Sequence, residues 1–198
     1  MVHAYHVIFG AYGFWLPNDP RGSWSDFVGS WELFRFGPST KTGTRRSVAS
    51  KPHDRDLRKK AKEALQRPAV QFTGLQAREI AKGFGQSIER GGVTVWACAI
   101  LPEHVHMVFG RHSCKAEIIV NLLKGKATTA LRAAGQHPFE GLKKDDNRVP
   151  TCWAAKCWKV FLNTDEEIVR AIAYVENNPV REGKPRQRWS FVQAFSPA

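Results

Sequence analysis

Residues 93–110, VTVWACAILPEHVHMVFG, hold two short runs of β-branched, aromatic and small apolar residues separated by Pro102-Glu103. So short a break leaves one arrangement, two antiparallel strands joined as a hairpin. On the N-terminal side, Ile80, Phe84 and Ile88 recur every four residues and predict a helix that ends at Gly91-Gly92. On the C-terminal side, Ser113 is the expected N-cap of a second helix. Its apolar stripe is Ile118, Ile119, Leu122, Leu123, Ala127, Ala130, Leu131 and Ala134, and Lys115, Lys124, Lys126 and Arg132 lie on its other faces.

Further out, HAYHVIFG at 3–10 reads as a first strand and CWAAKCWKVFL at 152–162 as a fourth. Thr164 with Glu167 three residues on is a capping-box pattern. It opens a last helix with Ile168, Ile172 and Val175 on one face, which Pro179 is expected to end. The order strand, helix, strand, strand, helix, strand, helix predicts an α+β chain: a ferredoxin-like split β-α-β antiparallel sheet followed by one additional C-terminal helix.

The length of 198 residues fits one domain, 1–198, with a long insertion after the first strand. That insertion, at about 14–72, is rich in Pro and Gly in its first half. Between Lys41 and Arg67 it carries ten Lys and Arg against three acids, with a helix expected from about Asp54 to Leu65. Over the whole chain the formal charge is +12, which favours a polyanionic partner and makes nucleic acid the first candidate. A hydrophobic content of 42% excludes a disordered basic tail. The sequence has neither a run of about eighteen apolar residues nor a secretory leader, so no membrane partner and a cytoplasmic location are expected. Cys98, Cys114, Cys152 and Cys157 are expected to be thiols.

His104-Val105-His106 is the sharpest local feature. Two residues apart on a strand, the imidazoles share a face and are offset by about 6.6 Å, while Val105, Met107 and Phe109 point into the core. Such a pair is either a ligand platform for a cation or two satisfied histidines. Near the C-terminus, Tyr174 and Asn178 are four apart on a helix, so a phenol and an amide share one edge. A positioned tyrosine can attack phosphorus, and an amide oxygen can complete a divalent site without neutralising the ion. The plainer alternative is a core aromatic and a C-terminal cap.

Together, AYHVIFGAYGFWLP, LPEHVHMVFG and AIAYVENNPVREGK, in this order and spacing, resemble the single-tyrosine HUH transposases of insertion sequences, and especially those associated with repetitive extragenic palindromes. The resemblance implies a ferredoxin-like fold whose late helix carries a nucleophilic tyrosine, Tyr174. It also implies a Mg²⁺ or Mn²⁺ ion held by His104 and His106, with Asn178 at the position that commonly completes the site. The long basic insertion departs from the family's minimal form, and no role is carried over to it. The implied activity is cleavage and strand transfer of single-stranded, hairpin-forming DNA through a 5′-phosphotyrosine. A nucleoid-associated cytoplasmic protein follows, with monomer and homodimer both open.

Candidate DNA contacts are Arg21, Arg45, Arg46, Arg58, Lys59 and Lys60 in the insertion, Lys124 on the second long helix, and Arg181, Lys184, Arg186 and Arg188 after the tyrosine helix. Two rival readings stand beside this one. A non-catalytic single-stranded nucleic-acid module accounts for the charge but not for the histidine pair and the tyrosine. A replication initiator or relaxase shares the chemistry but commonly has a longer catalytic region or additional domains.

Overall fold

The computed structural model describes residues 2–17, 31–37, 54–143 and 148–197. Four strands, β1 (Ala4–Gly10), β2 (Val95–Ile100), β3 (His104–Gly110) and β4 (Trp158–Leu162), form an open sheet in the order β2-β3-β1-β4. Every neighbouring pair is antiparallel. Among the described residues the helices are α1 (Trp31–Phe34), α2 (Arg55–Glu63), α3 (Gly74–Gly91), α4 (Ala116–Ala133) and α5 (Asp165–Arg181). The crossovers β1-α3-β2 and β3-α4-β4 interlock, which is the expected split β-α-β sheet, and α5 is the additional helix.

Alternation along the strands decides which helices cover which face. Val7 and Phe9 of β1 and Val105, Met107 and Phe109 of β3 point to one side. There they pack against Ile80, Phe84 and Ile88 of α3 and Ile119, Leu123, Ala127 and Leu131 of α4. The opposite face presents Ala4, Ala97, Ala99, Val108 and Leu162 to Ile168, Ala171 and Val175 of α5. The three alanines allow α5 to lie close to the sheet. Polar side chains on this face therefore end up beneath a helix, out of bulk water.

The two crossover helices meet at Gly83. A β-carbon there would lie 2.6 Å from the Lys126 carbonyl oxygen and 2.7 Å from the Ala127 backbone. Gly125, on α4, has nothing within 4 Å of such an atom. Helix propensity alone favours alanine over glycine by about 1 kcal/mol at both positions. At Gly83 the backbone clash outweighs that gain, because overpacking a helix crossing costs about 1–3 kcal/mol or more. Gly83→Ala should therefore lower the urea midpoint while Gly125→Ala raises it. A rise in both would show that the helices separate freely.

Both ends of α3 follow sequence. Thr73 Oγ1 accepts from the Gln76 amide at 3.2 Å, and Gln76 Oε1 accepts from the Thr73 amide at 2.8 Å. Gly92 closes the helix in the left-handed conformation at φ 64°. Elsewhere the boundaries differ from expectation. The N-cap of α4 is Lys115, because the chain is still turning at Ser113-Cys114, where the Cys114 amide donates to His112 Nδ1 at 3.0 Å. The fourth strand is only Trp158–Leu162, since the chain first bridges Ala11 at Trp153 and then breaks at Lys156, whose φ is 60°. Pro179 does not end α5, which continues to Arg181 because a proline in the last turn withholds a single donor.

Helix α2 begins after Asp54, whose carboxylate accepts from the Leu57 amide at 2.8 Å. Leu16, Phe36 and Ala61 give the described part of the insertion a small core of its own. Lys62 ties it to Glu103 in the β2–β3 turn at 3.0 Å. At the other end of the chain, the segment after α5 runs along the outer edge of β2. The Gln187 side-chain amide pairs with both backbone groups of Ile100, at 2.7 and 2.8 Å, and the Gln193 amide donates to the Val95 carbonyl at 2.8 Å. That edge is thereby covered. All four cysteines are free thiols.

Candidate active site

Strand alternation sends His104 and His106 to the face under α5, as their spacing predicts. The rings lie 4.9 Å apart, centroid to centroid, and nearly perpendicular at 73°. Each ring has its own support. Gly10 is the register partner of His104 on β1, and a β-carbon at Gly10 would lie 2.6 Å from Phe14. Without one, Phe14 folds back and stacks on His104 at 4.6 Å and 21°. His106 is 4% exposed, and its Nδ1 is 3.0 Å from Nε2 of a third histidine, His6.

Helix α5 then lays Tyr174 over this face. Its ring centroid is 5.6 Å from that of His106 and 5.8 Å from that of His6. Tyr174 remains 38% exposed, so an incoming strand can reach it. The Arg181 guanidinium is 5.7 Å from the same ring, two turns further along the helix. Asn178 is buried at 8% exposure, and its Nδ2 has no hydrogen-bond partner among the described residues. Neighbouring Asn177 accepts from Arg186 Nη2 at 3.2 Å, which ties the following basic segment to the tyrosine helix.

Burial sets the charge states. Desolvation pushes the His6 imidazole down to about 4. His106 is driven well below the ordinary histidine range by burial first, then by His104 and His6. Both are neutral at pH 7 and present lone pairs in place of positive charge. Burial also raises the Tyr174 phenol above its usual value, opposed by Arg181 and assisted by Glu182. An exposed phenol is ionised about one part in a thousand at pH 7, and here the fraction is smaller.

The centroid separation of the histidine pair is compatible with a shared divalent ion. Two imidazoles bound to one ion through bonds of about 2.1 Å, at angles between right and tetrahedral, have centroids roughly 4.6–5.3 Å apart, and the separation in this pair falls inside that interval. Among the described residues no group of three His, Cys, Asp or Glu side chains could hold a metal ion. Asn178 is buried on the tyrosine helix, and the atom it leaves without a partner is the Nδ2 donor, not the oxygen a cation would need.

The basic residues divide. Arg181, Arg186 and Arg188 are exposed and Lys184 is half-buried, all immediately after the tyrosine. On α2, Lys59 and Lys60 are exposed and Arg58 is half-buried. Lys124 corrects the sequence reading: it is 7% exposed, and its ammonium donates to the carbonyls of Ala154 at 2.9 Å and Lys156 at 2.6 Å. It fastens the connection to β4 instead of facing solvent. Arg21, Arg45 and Arg46 lie outside the described residues.

Sequence reasoning missed His6. Its place on the face of Ala4 and Ile8 could be read from the alternation of β1, but its partner comes from β3, and no spacing within β1 points there.

Among known proteins, no family model matches the chain and no curated protein matches it. Solved structures that are similar include two. One is a REP-associated tyrosine transposase bound to a REP hairpin, 11% identical with a TM-score of 0.48, over 91% of this chain and 68% of that one. The other is a protein from Deinococcus radiodurans R1 assigned provisionally as a transposase, 13% identical with a TM-score of 0.40, over 88% of each chain. At this distance neither structure assigns a role to any residue, and the chemistry rests on the side chains described above.

Proposed function

We propose that the chain is a metal-dependent tyrosine transposase or endonuclease that cuts and rejoins single-stranded, hairpin-forming DNA. The observation that carries this reading is the packing of Tyr174 against His106 and His6 on the sheet face that also holds His104. A core aromatic would be closed off on all sides. Tyr174 is instead open to solvent on one edge and lined with neutral imidazoles on the other.

In the proposed step the Tyr174 oxygen attacks a DNA phosphorus. The new bond is a 5′-phosphotyrosine, the bond to the 3′ oxygen breaks, and the phenolic proton is balanced by the proton gained by the departing 3′ hydroxyl. No water is consumed, so the linkage can be re-formed with a second strand. His104, His106 and the Asn178 amide would hold Mg²⁺ or Mn²⁺, which when bound supplies positive charge to the non-bridging phosphate oxygen. The neutral ligands leave that charge undiminished. Arg181 faces the phenol ring and would favour a phosphate beside it, while Lys184, Arg186 and Arg188 continue the cationic track for the backbone. Lys59 and Lys60 on α2 give the same support from the insertion, which fits a polyanionic partner for a chain of charge +12. Among the described residues no helix is long and apolar enough to cross a membrane.

Incubating the protein with hairpin-bearing single strands and Mn²⁺ should yield a protein–DNA adduct that survives boiling in detergent, together with a fragment ending in a 3′ hydroxyl. Free cleavage products with no protein-bound phosphate would identify a hydrolase instead. Binding without cleavage would identify a non-catalytic module.

A further inference from the structure

His6 lies opposite Val108 across the β1–β3 pair, while His106 lies opposite Ile8, so the two histidines are diagonal neighbours on one face. Their facing nitrogens, Nε2 of His6 and Nδ1 of His106, are 3.0 Å apart with hydrogen-bond alignment. Both rings are held between the sheet and α5, at 9% and 4% exposure.

A hydrogen bond between two neutral imidazoles needs one donor and one acceptor, which leaves two arrangements. In the first, His6 donates. His106 Nδ1 is then the acceptor, its only proton sits on Nε2, and the ring has no lone pair left for a cation. In the second, His106 donates from Nδ1, His6 Nε2 accepts, and His106 Nε2 keeps a free lone pair. Only the second arrangement makes His106 a ligand.

We infer that His6 is a positioning residue, the acceptor that fixes His106 in the tautomer whose Nε2 can hold a divalent ion. The inference rests on reading His104 and His106 as the cation-holding pair, and it adds a residue from the opposite end of the chain. Gly10 stands opposite His104 on β1, and the flat face of Phe14 supports its ring. One ligand is oriented by stacking and the other by a proton.

The test uses the whole chain and Mn²⁺ alone in calorimetric titration. His6→Phe keeps the volume and removes the acceptor, and should weaken Mn²⁺ binding roughly 10- to 100-fold, the usual effect of losing such a partner. His6→Gln supplies an amide oxygen and should recover affinity to within a few-fold of the native chain. If either variant is too unstable to titrate, ¹⁵N spectra of the native protein with Zn²⁺ as diamagnetic probe decide, and should place the His106 proton on Nδ1 and the metal on Nε2. Unchanged Mn²⁺ affinity in His6→Phe, or a His106 proton on Nε2 in the Zn²⁺-loaded protein, overturns the inference while the site reading stands. Absence of Mn²⁺ binding by the native chain overturns both.

Discussion

Tyr174→Phe should abolish the covalent adduct and lower strand cleavage about a thousandfold or more, the scale on which enzymes lose activity without their nucleophile. The substitution removes one oxygen and little else. The ring contacts to His106 and His6, at 5.6 and 5.8 Å, need only the six-membered ring, and so does the approach of Arg181 at 5.7 Å. The unfolding midpoint should stay close to that of the native protein, because the side chain is 38% exposed and, among the described residues, no hydrogen bond of its hydroxyl holds the helix. DNA binding should persist too, since the proposed contacts of Arg181, Lys184, Arg186 and Arg188 are left in place. An adduct that survives in Tyr174→Phe, resolved by gel after boiling, would move the nucleophile elsewhere.

The second large effect is expected at the histidine pair. His104→Ala and His106→Ala should each abolish Mn²⁺-dependent cleavage while salt-sensitive DNA binding continues. Their effects on stability should differ. Removing His106 leaves His6 buried without its partner, a cost of about 1–3 kcal/mol, and opens space beneath α5. Removing His104 frees the stacked face of Phe14 in a half-buried setting, so the urea midpoint should fall less. Calorimetry provides the check: Mn²⁺ affinity unchanged in both variants would refute the ligand assignment, whatever happens to cleavage.

Much of the architecture was legible because the decisive signals are local. HVHMVFG is rich in strand formers and opens with alternating polar and apolar residues, Pro102-Glu103 leaves room only for a hairpin, and the four-residue spacing of Tyr174 and Asn178 places them on one side of α5. The relation between those pieces needed strand order as well, which came from the order of the elements along the chain. What stayed hidden depends on neighbours far away in the chain. His6 is one imidazole in a short strand, and its significance lies in a diagonal contact with β3. Lys124 stands next to the apolar stripe of α4, and its long stem carries the ammonium to two carbonyls of the 154–156 loop. That loop also explains the misjudged fourth strand. Cys152–Cys157 carries aromatic and small residues typical of a strand, yet Lys156 adopts a left-handed conformation that no glycine announces.

Chain connectivity has a bearing on synthesis. β1 pairs with β3 at Ala4↔Gly110 and with β4 at Ala4↔Leu162, so this strand leaves the ribosome with both its partners still untranslated. His6 emerges first, the histidine pair near mid-chain, and Tyr174 near the close. A product terminated early, anywhere before α5, therefore carries imidazoles with no hydroxyl above them. On the proposed function, a form able to cut DNA exists only after translation has passed α5.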